Sequence, residues 1–164
     1  MPSKSSKQEQ APSAGEGPSL LVKRQVTVKA RLTEALRQKL AADFQDAVRK
    51  LDIELSQLEF QSKRLLAEAE KQGPERTTAV SAQLSAEKQK RQEQKGRVLE
   101  SLKELGKMPL GTEIVQGAVE SLAEVRVGDR LALVTAAEVV VEDGIVVAIR
   151  DGGNVATLEG SARG

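Results

Sequence analysis

The stretch KQGPER, residues 71–76, interrupts an otherwise helix-friendly run between Thr33 and Leu105. Gly73 suits the left-handed residue just past a helix end, and Pro74 suits the first position of a new helix. Glu75 follows where an N-terminal dipole favours an acid. A kinked continuous helix also tolerates proline, but Gly followed by Pro among polar residues predicts a reversal. KQGPER is therefore the expected tip of a helical hairpin covering residues 32–108, with its turn at 72–74.

The two arms carry their own signals. Thr33 is placed to cap the first, with Glu34 in the first turn. From Phe44 the inward positions run 44, 48, 51, 55, 58, 62, 65 and 69, steps of four and three that mark a coiled-coil seam. The second arm runs from Glu75 to Leu105 and is closed by Gly106 and Pro109. At ~1.5 Å per residue the arms are about 60 and 45 Å long. Their match is incomplete. Leu55 and Leu58 face EKQKRQEQKGR (87–97), which offers no large apolar side chain. Ile53 and Phe60, seven residues apart, lie off the seam. Ile53, Leu55, Leu58 and Phe60 together are the expected oligomer interface, with a homodimer favoured.

Outside the arms the pattern has period two. Leu20, Val22, Val26, Val28 and Ala30 alternate with more polar neighbours, and Arg24 is the one break on the apolar side. Further strands are expected in TEIVQGAVESL (112–122), after the Gly128–Asp129 turn of VRVGDRLALV (125–134), and in AEVVVEDGIVVAIRDG (137–152). In the last of these Asp143–Gly144 signals a tight hairpin turn between two strands. The fold class that follows is α+β. A long antiparallel helical hairpin is inserted into a small five-stranded β-barrel or curled sheet. Residues 20–31 and 110–150 form this discontinuous β-domain. Residues 1–19 and 151–164 carry too little apolar surface to offset ordering entropy and are expected to be a disordered leader and tail.

Composition excludes much chemistry. The 164 residues include no His, Cys, Trp or Tyr, and the aromatics are Phe44 and Phe60 alone. Ser-His-Asp and Cys-His catalysis and Cys or His zinc sites are thereby ruled out. No phosphate-binding glycine motif, dinucleotide fingerprint or calcium loop is present. No catalytic residue, cofactor or metal is expected, and the chain is read as a non-enzyme. Glu138, Glu142 and Asp143 are read as solvated acids around a turn rather than a cation cage. The longest apolar run, IVVAI (145–149), is far short of the ~20 residues of a membrane helix. No membrane association is expected, and the absence of cysteine fits a reducing cytoplasm.

Charge separates along the chain. Residues 75–108 hold eight Lys or Arg against five Asp or Glu, while residues 109–150 hold three against seven. Any phosphate contact then falls to Lys88, Lys90, Arg91, Lys95 and Arg97 on the second arm. Base stacking in the β-domain is excluded by its lack of aromatic side chains.

VTVKARLTEALRQKL leading into a charged coiled coil, followed by GTEIVQG, VRVGDRL and EVVVEDGIVVAIRDG, resembles the YlqD-type family of uncharacterised bacterial proteins. The resemblance spans Leu20 to Gly152. It implies no established activity and no catalytic residues, and it leans toward RNA- or ribosome-linked work. Three roles follow in order: a structural adaptor that self-associates and docks a protein partner, an RNA- or ribosome-associated factor, and a holdase-like chaperone.

Overall fold

The computed structural model describes residues 17–158. Residues 1–16 of the expected leader and 159–164 of the expected tail lie outside the described residues. The chain forms two compact units, one from Leu32 to Thr112 and the other from the segments on either side of it.

In the unit Leu32–Thr112, helices α1 (Glu34–Glu70) and α2 (Pro74–Lys107) pack on one another. The Thr33 hydroxyl accepts a hydrogen bond from the Leu36 amide at 3.2 Å, satisfying one of the unpaired donors at the start of α1. Gln72 N–H donates to Ala69 O at the other end. Gly73 adopts φ 118° and ψ 167°, a region open essentially to glycine alone. It is an extended mirror conformation rather than the left-handed helical one expected from the sequence. Arg37 donates to Gly106 O at 3.1 Å and Met108 O at 2.6 Å, meeting carbonyls that the end of α2 leaves open. Beyond α2, Leu32 N donates to Thr112 O and Gly111 N to Leu32 O, both at 2.8 Å.

The inner stripe of α1 differs from the expected seam at one place. Phe44, Val48, Leu51, Leu55, Leu58 and Ser62 are half-buried as expected. The next inner residue is Leu66, followed by buried Ala69, while Leu65 is 44% exposed. A helix of 3.6 residues per turn falls behind a 3.5-residue repeat by about 20° per heptad. After three heptads that drift brings Leu66 round in place of Leu65.

The other unit is a five-stranded mixed sheet, built from β1 (Ser19–Arg31), β2 (Glu113–Arg126), β3 (Ala137–Glu142), β4 (Ile145–Asp151) and β5 (Asn154–Thr157). The strand order is β2-β1-β3-β4-β5. β1 pairs antiparallel with β2 from Ser19↔Arg126 to Arg31↔Glu113, and parallel with β3. Asp143 (φ 48°) and Gly144 (φ 83°) make the two-residue turn from β3 to β4, both with the positive φ that such a hairpin requires. Val140, Val147 and Ala148 form a buried cluster on these two strands.

The sheet is open, so the expected barrel is not formed. Its edges are β2, of fourteen residues, and β5, of four, and two edges so unequal do not zip together. The strand expected after Gly128–Asp129 does not form either. β2 ends at Arg126, whose amide donates to the Asp129 carboxylate at 2.8 Å, and Leu131–Thr135 form the short helix α3. The chain must pass β1 to start β3 on its far side, and a strand within the sheet cannot make that crossing. The fifth strand comes instead from the expected tail: β5 pairs with β4 across Gly152 and Gly153, both at positive φ.

Arg24, the break in the apolar side of β1, holds the crossing in place. Its Nε donates to Ser121 Oγ at 2.9 Å and its Nη1 to Val134 O at 2.7 Å. Nη1 and Nη2 also grip Asp151 at 2.7 and 2.9 Å, a bidentate pair that holds the Asp151 carboxyl below the usual carboxylate range.

Two glycines give opposite predictions. Gly73→Ala forces a side chain into a glycine-only conformation and is expected to destabilise by about 1–3 kcal/mol. Gly96 lies inside α2 with open space where a Cβ would stand. Gly96→Ala is expected to stabilise by about 0.5–1 kcal/mol. Urea denaturation of both variants checks the pair, and a stabilising Gly73→Ala contradicts the turn geometry.

Candidate interaction surfaces

The four apolar residues expected at an oligomer interface divide between two sides of α1. Leu55 and Leu58 are half-buried on the inner stripe, and Leu58 lines a shallow groove with Leu66, Leu84, Ser85 and Lys88. Ile53 is 59% exposed and Phe60 77% exposed. Seven residues apart, these two share one stripe on the outward side. The structure therefore separates Ile53 and Phe60 from Leu55 and Leu58 rather than joining all four in one patch. The reason is the helical period: positions 55 and 58 point where α2 already lies.

The basic segment also divides. Lys95 Nζ binds Asp52 of α1 at 2.6 Å. Arg91 lies 2.6 Å from Glu87 on its own helix and 3.4 Å from Glu54 of α1. Hydrogen bonding to Arg91 holds the Glu87 carboxyl below its ordinary range. Both cations face inward, their stems covering the inner stripe and their charges meeting acids of the neighbouring helix. Lys88, Lys90 and Arg97 are exposed and carry no ion pair among the described residues. Of the five expected phosphate contacts, Arg91 and Lys95 are thus committed to carboxylates. A phosphate-binding surface would rest on the other three.

The apolar seam does not mark Asp52 and Glu54, although the sequence holds a signal for them. Reflecting the chain about Gly73 brings Asp52 beside Lys95 and Glu54 beside Arg91. The apparent mismatch between a Leu-bearing arm and a polar arm is closed by charge pairs flanking Leu55.

The sheet has its own charged ladder. Arg150 binds Glu113 through both terminal nitrogens, at 2.6 and 2.8 Å, and reaches Glu138 at 3.1 Å. Lys29 binds the other oxygen of Glu138 at 2.8 Å, and Arg31 lies 4.0 Å from Glu142. Glu138 is therefore part of a four-residue ion network spanning β1, β2, β3 and β4, not a solvated acid at a turn. Hydrogen bonds from Arg150 hold Glu113 below the ordinary carboxylate range, and bonds from Lys29 and Arg150 do the same for Glu138. Among the described residues no helix is long and apolar enough to cross a membrane.

A family model described as YlqD protein matches residues 20–150. A Bacillus subtilis (strain 168) protein named "Uncharacterized protein YlqD" is 32% identical over 126 residues, covering 76% of this chain and 94% of that protein. A crystal structure of a protein of unknown function from Synechococcus sp. WH 8102 superposes with a TM-score of 0.77 at 25% identity. That likeness covers 82% of this chain and 99% of the other. The chain belongs to the YlqD family.

The ion network sets a pH dependence of known sign. The folded state lowers the pKa of Glu113 and Glu138, so their stabilisation is complete above the ordinary Glu value of about 4.3 and is lost as pH falls through the lowered folded values. Glu113→Gln lacks this contribution. The stability gap between wild type and Glu113→Gln is expected to be widest near neutral pH and to narrow below about pH 4. Urea midpoints over that range measure it, and a gap that widens in acid contradicts the network.

Proposed function

We propose that the protein is a non-catalytic structural adaptor of the cytoplasm. Its helical hairpin self-associates through the outward stripe of α1, and the assembled copies present their sheets to a protein partner. The observation that carries this reading is the exposure of Phe60, with Ile53 one heptad before it, on a helix whose opposite stripe is already occupied. A lone exposed apolar residue on a helix is ordinary. Two in line, including one of the chain's two aromatics, favour burial against another copy. The commitment of Arg91 and Lys95 to Glu54 and Asp52 weakens the RNA-binding alternative and ranks it behind the adaptor.

Each apolar side chain contributes about 1.5–3 kcal/mol on full burial, before association costs. A two-fold contact between copies buries each of them twice. Ile53→Glu combined with Phe60→Glu is expected to lower the weight-average mass by one association step at tens of micromolar, with unchanged far-ultraviolet circular dichroism. Light scattering coupled to gel filtration makes the measurement. A wild-type protein that is monomeric under those conditions, or a double variant of unchanged mass, defeats the reading.

A further inference from the structure

Strand β2 is an edge strand with β1 on one side and no partner on the other among the described residues. It contains no proline, and residues 115–120 are exposed in an unbroken run, so both faces of the strand are open there. Val119 is 53% exposed and Leu122 61% exposed. The pairing shifts between Val28 and Lys29, leaving Gln116 without a β1 partner, and this bulge ends the regular part of the edge. From Gly117 to Arg126 the edge is regular. The opposite edge, β5, has four residues and is blunted by its shortness.

Natural edges of this length are covered or paired. The charges on β2 indicate what pairs with it. Glu120 is matched by Lys23 at 3.6 Å, and Glu124 by Arg126 at 2.8 Å. The acids and bases cancel, so the edge does not select a strongly charged foreign strand. It does match itself. Two copies related by a two-fold axis normal to the sheet pair antiparallel, and opposed residues then come from the same face. Two registers retain nearly the whole regular run. One, centred on Leu122, sets Glu120 against Glu124 of the second copy twice, which is destabilising. The other is centred on Ser121 and sets Glu120 against Leu122 and Glu124 against Ala118, with no like charges opposed. Gly117, Ala118, Ser121 and Ala123 keep the facing strands free of bulky side chains.

We propose that β2 pairs antiparallel with β2 of a second copy about a two-fold axis at Ser121, making one continuous ten-stranded sheet. The surface is separate from the α1 stripe, so a chain with both would carry two independent self-association surfaces.

The absence of cysteine makes the test direct. Glu120→Cys and Leu122→Cys are prepared separately in the full chain, mixed and oxidised. Directly opposed residues lie within disulfide reach, whereas diagonal ones are about 7–8 Å apart. The mixture is expected to give the 120–122 disulfide well above either homodimer, read by mass spectrometry of the cross-linked peptides. A second, cysteine-free measurement uses charge. Leu122→Lys sets a cation against Glu120 of the second copy and tightens association, while Leu122→Glu loosens it. The two dissociation constants from sedimentation are expected to differ by about tenfold, both charge pairs occurring twice. Both experiments are repeated in the Ile53→Glu, Phe60→Glu background, where the β2 results persist even if the α1 contact is lost or never forms. Equal yields of all three disulfides, or sedimentation indifferent to the sign of residue 122, overturns the proposal.

Discussion

Strand β1 has a partner on each side, and the sheet is organised around that double pairing. On one side it binds a strand separated from it by the whole helical unit. On the other it runs parallel to β3, so the chain must cross over before that contact forms. Neither neighbour is local in sequence. The alternation in Leu20–Ala30 supplies a strand with an apolar face, and the long-range pairs give that strand its backbone partners. Arg24 serves the same arrangement from a side chain, joining β2 at Ser121, the crossover at Val134 and the end of β4 at Asp151. A lysine there would lose the fork that makes three such contacts at once.

The pairing between the helices is set by a different device. An entirely apolar stripe would bind strongly but leave α1 and α2 freer to slide past one another. Arg91 and Lys95 occupy inner positions of α2 and find Glu54 and Asp52 across from them. Polar groups at such positions cost stability and fix alignment. Shifting the helices by one turn would separate both pairs, leaving half-buried charges without partners. The polar segment 87–97 therefore specifies how the helices meet. The same role withdraws two cations from the surface available to a nucleic acid.

Much of this architecture is legible in the sequence. KQGPER marks the break between α1 and α2, because proline and a glycine-only backbone conformation sit side by side there. Asp143–Gly144 marks a hairpin turn, because both of its residues require positive φ. The errors arose where tertiary context overrides a local pattern. VRVGDRLALV has strand composition, but the crossing past β1 turns its second half into a short helix. Asn154–Thr157 looks too polar and too brief for a strand, yet the Gly152–Gly153 pair before it is a hairpin signal as valid as Asp143–Gly144. A strict heptad places Leu65 inside, but a straight helix does not keep that repeat. Ile53 and Phe60 lie off the seam in the sequence and are exposed in the fold. Leu55 and Leu58 look unpartnered in the sequence because the Arg91–Glu54 and Lys95–Asp52 ion pairs beside them are invisible without the alignment of the two helices.

The backbone bonds from Leu32 to Thr112 and Gly111 bear on the order in which the chain folds. Pairing β1 with β2 closes a loop of more than eighty residues, and β1 is synthesised long before its mate. Loop closure on that scale carries an entropy cost that grows with the logarithm of length. Helices form from local contacts on far shorter timescales than distant strands find each other. Once α1 and α2 have docked, Leu32 is tied to Thr112 and to Gly111 by one backbone bond each, and the loop that separates β1 from β2 has in effect vanished. What remains is a local zipping from Arg31 and Glu113 outward. A β1–β2 pairing that starts from docked helices closes a far shorter loop than the same pairing in the unfolded chain.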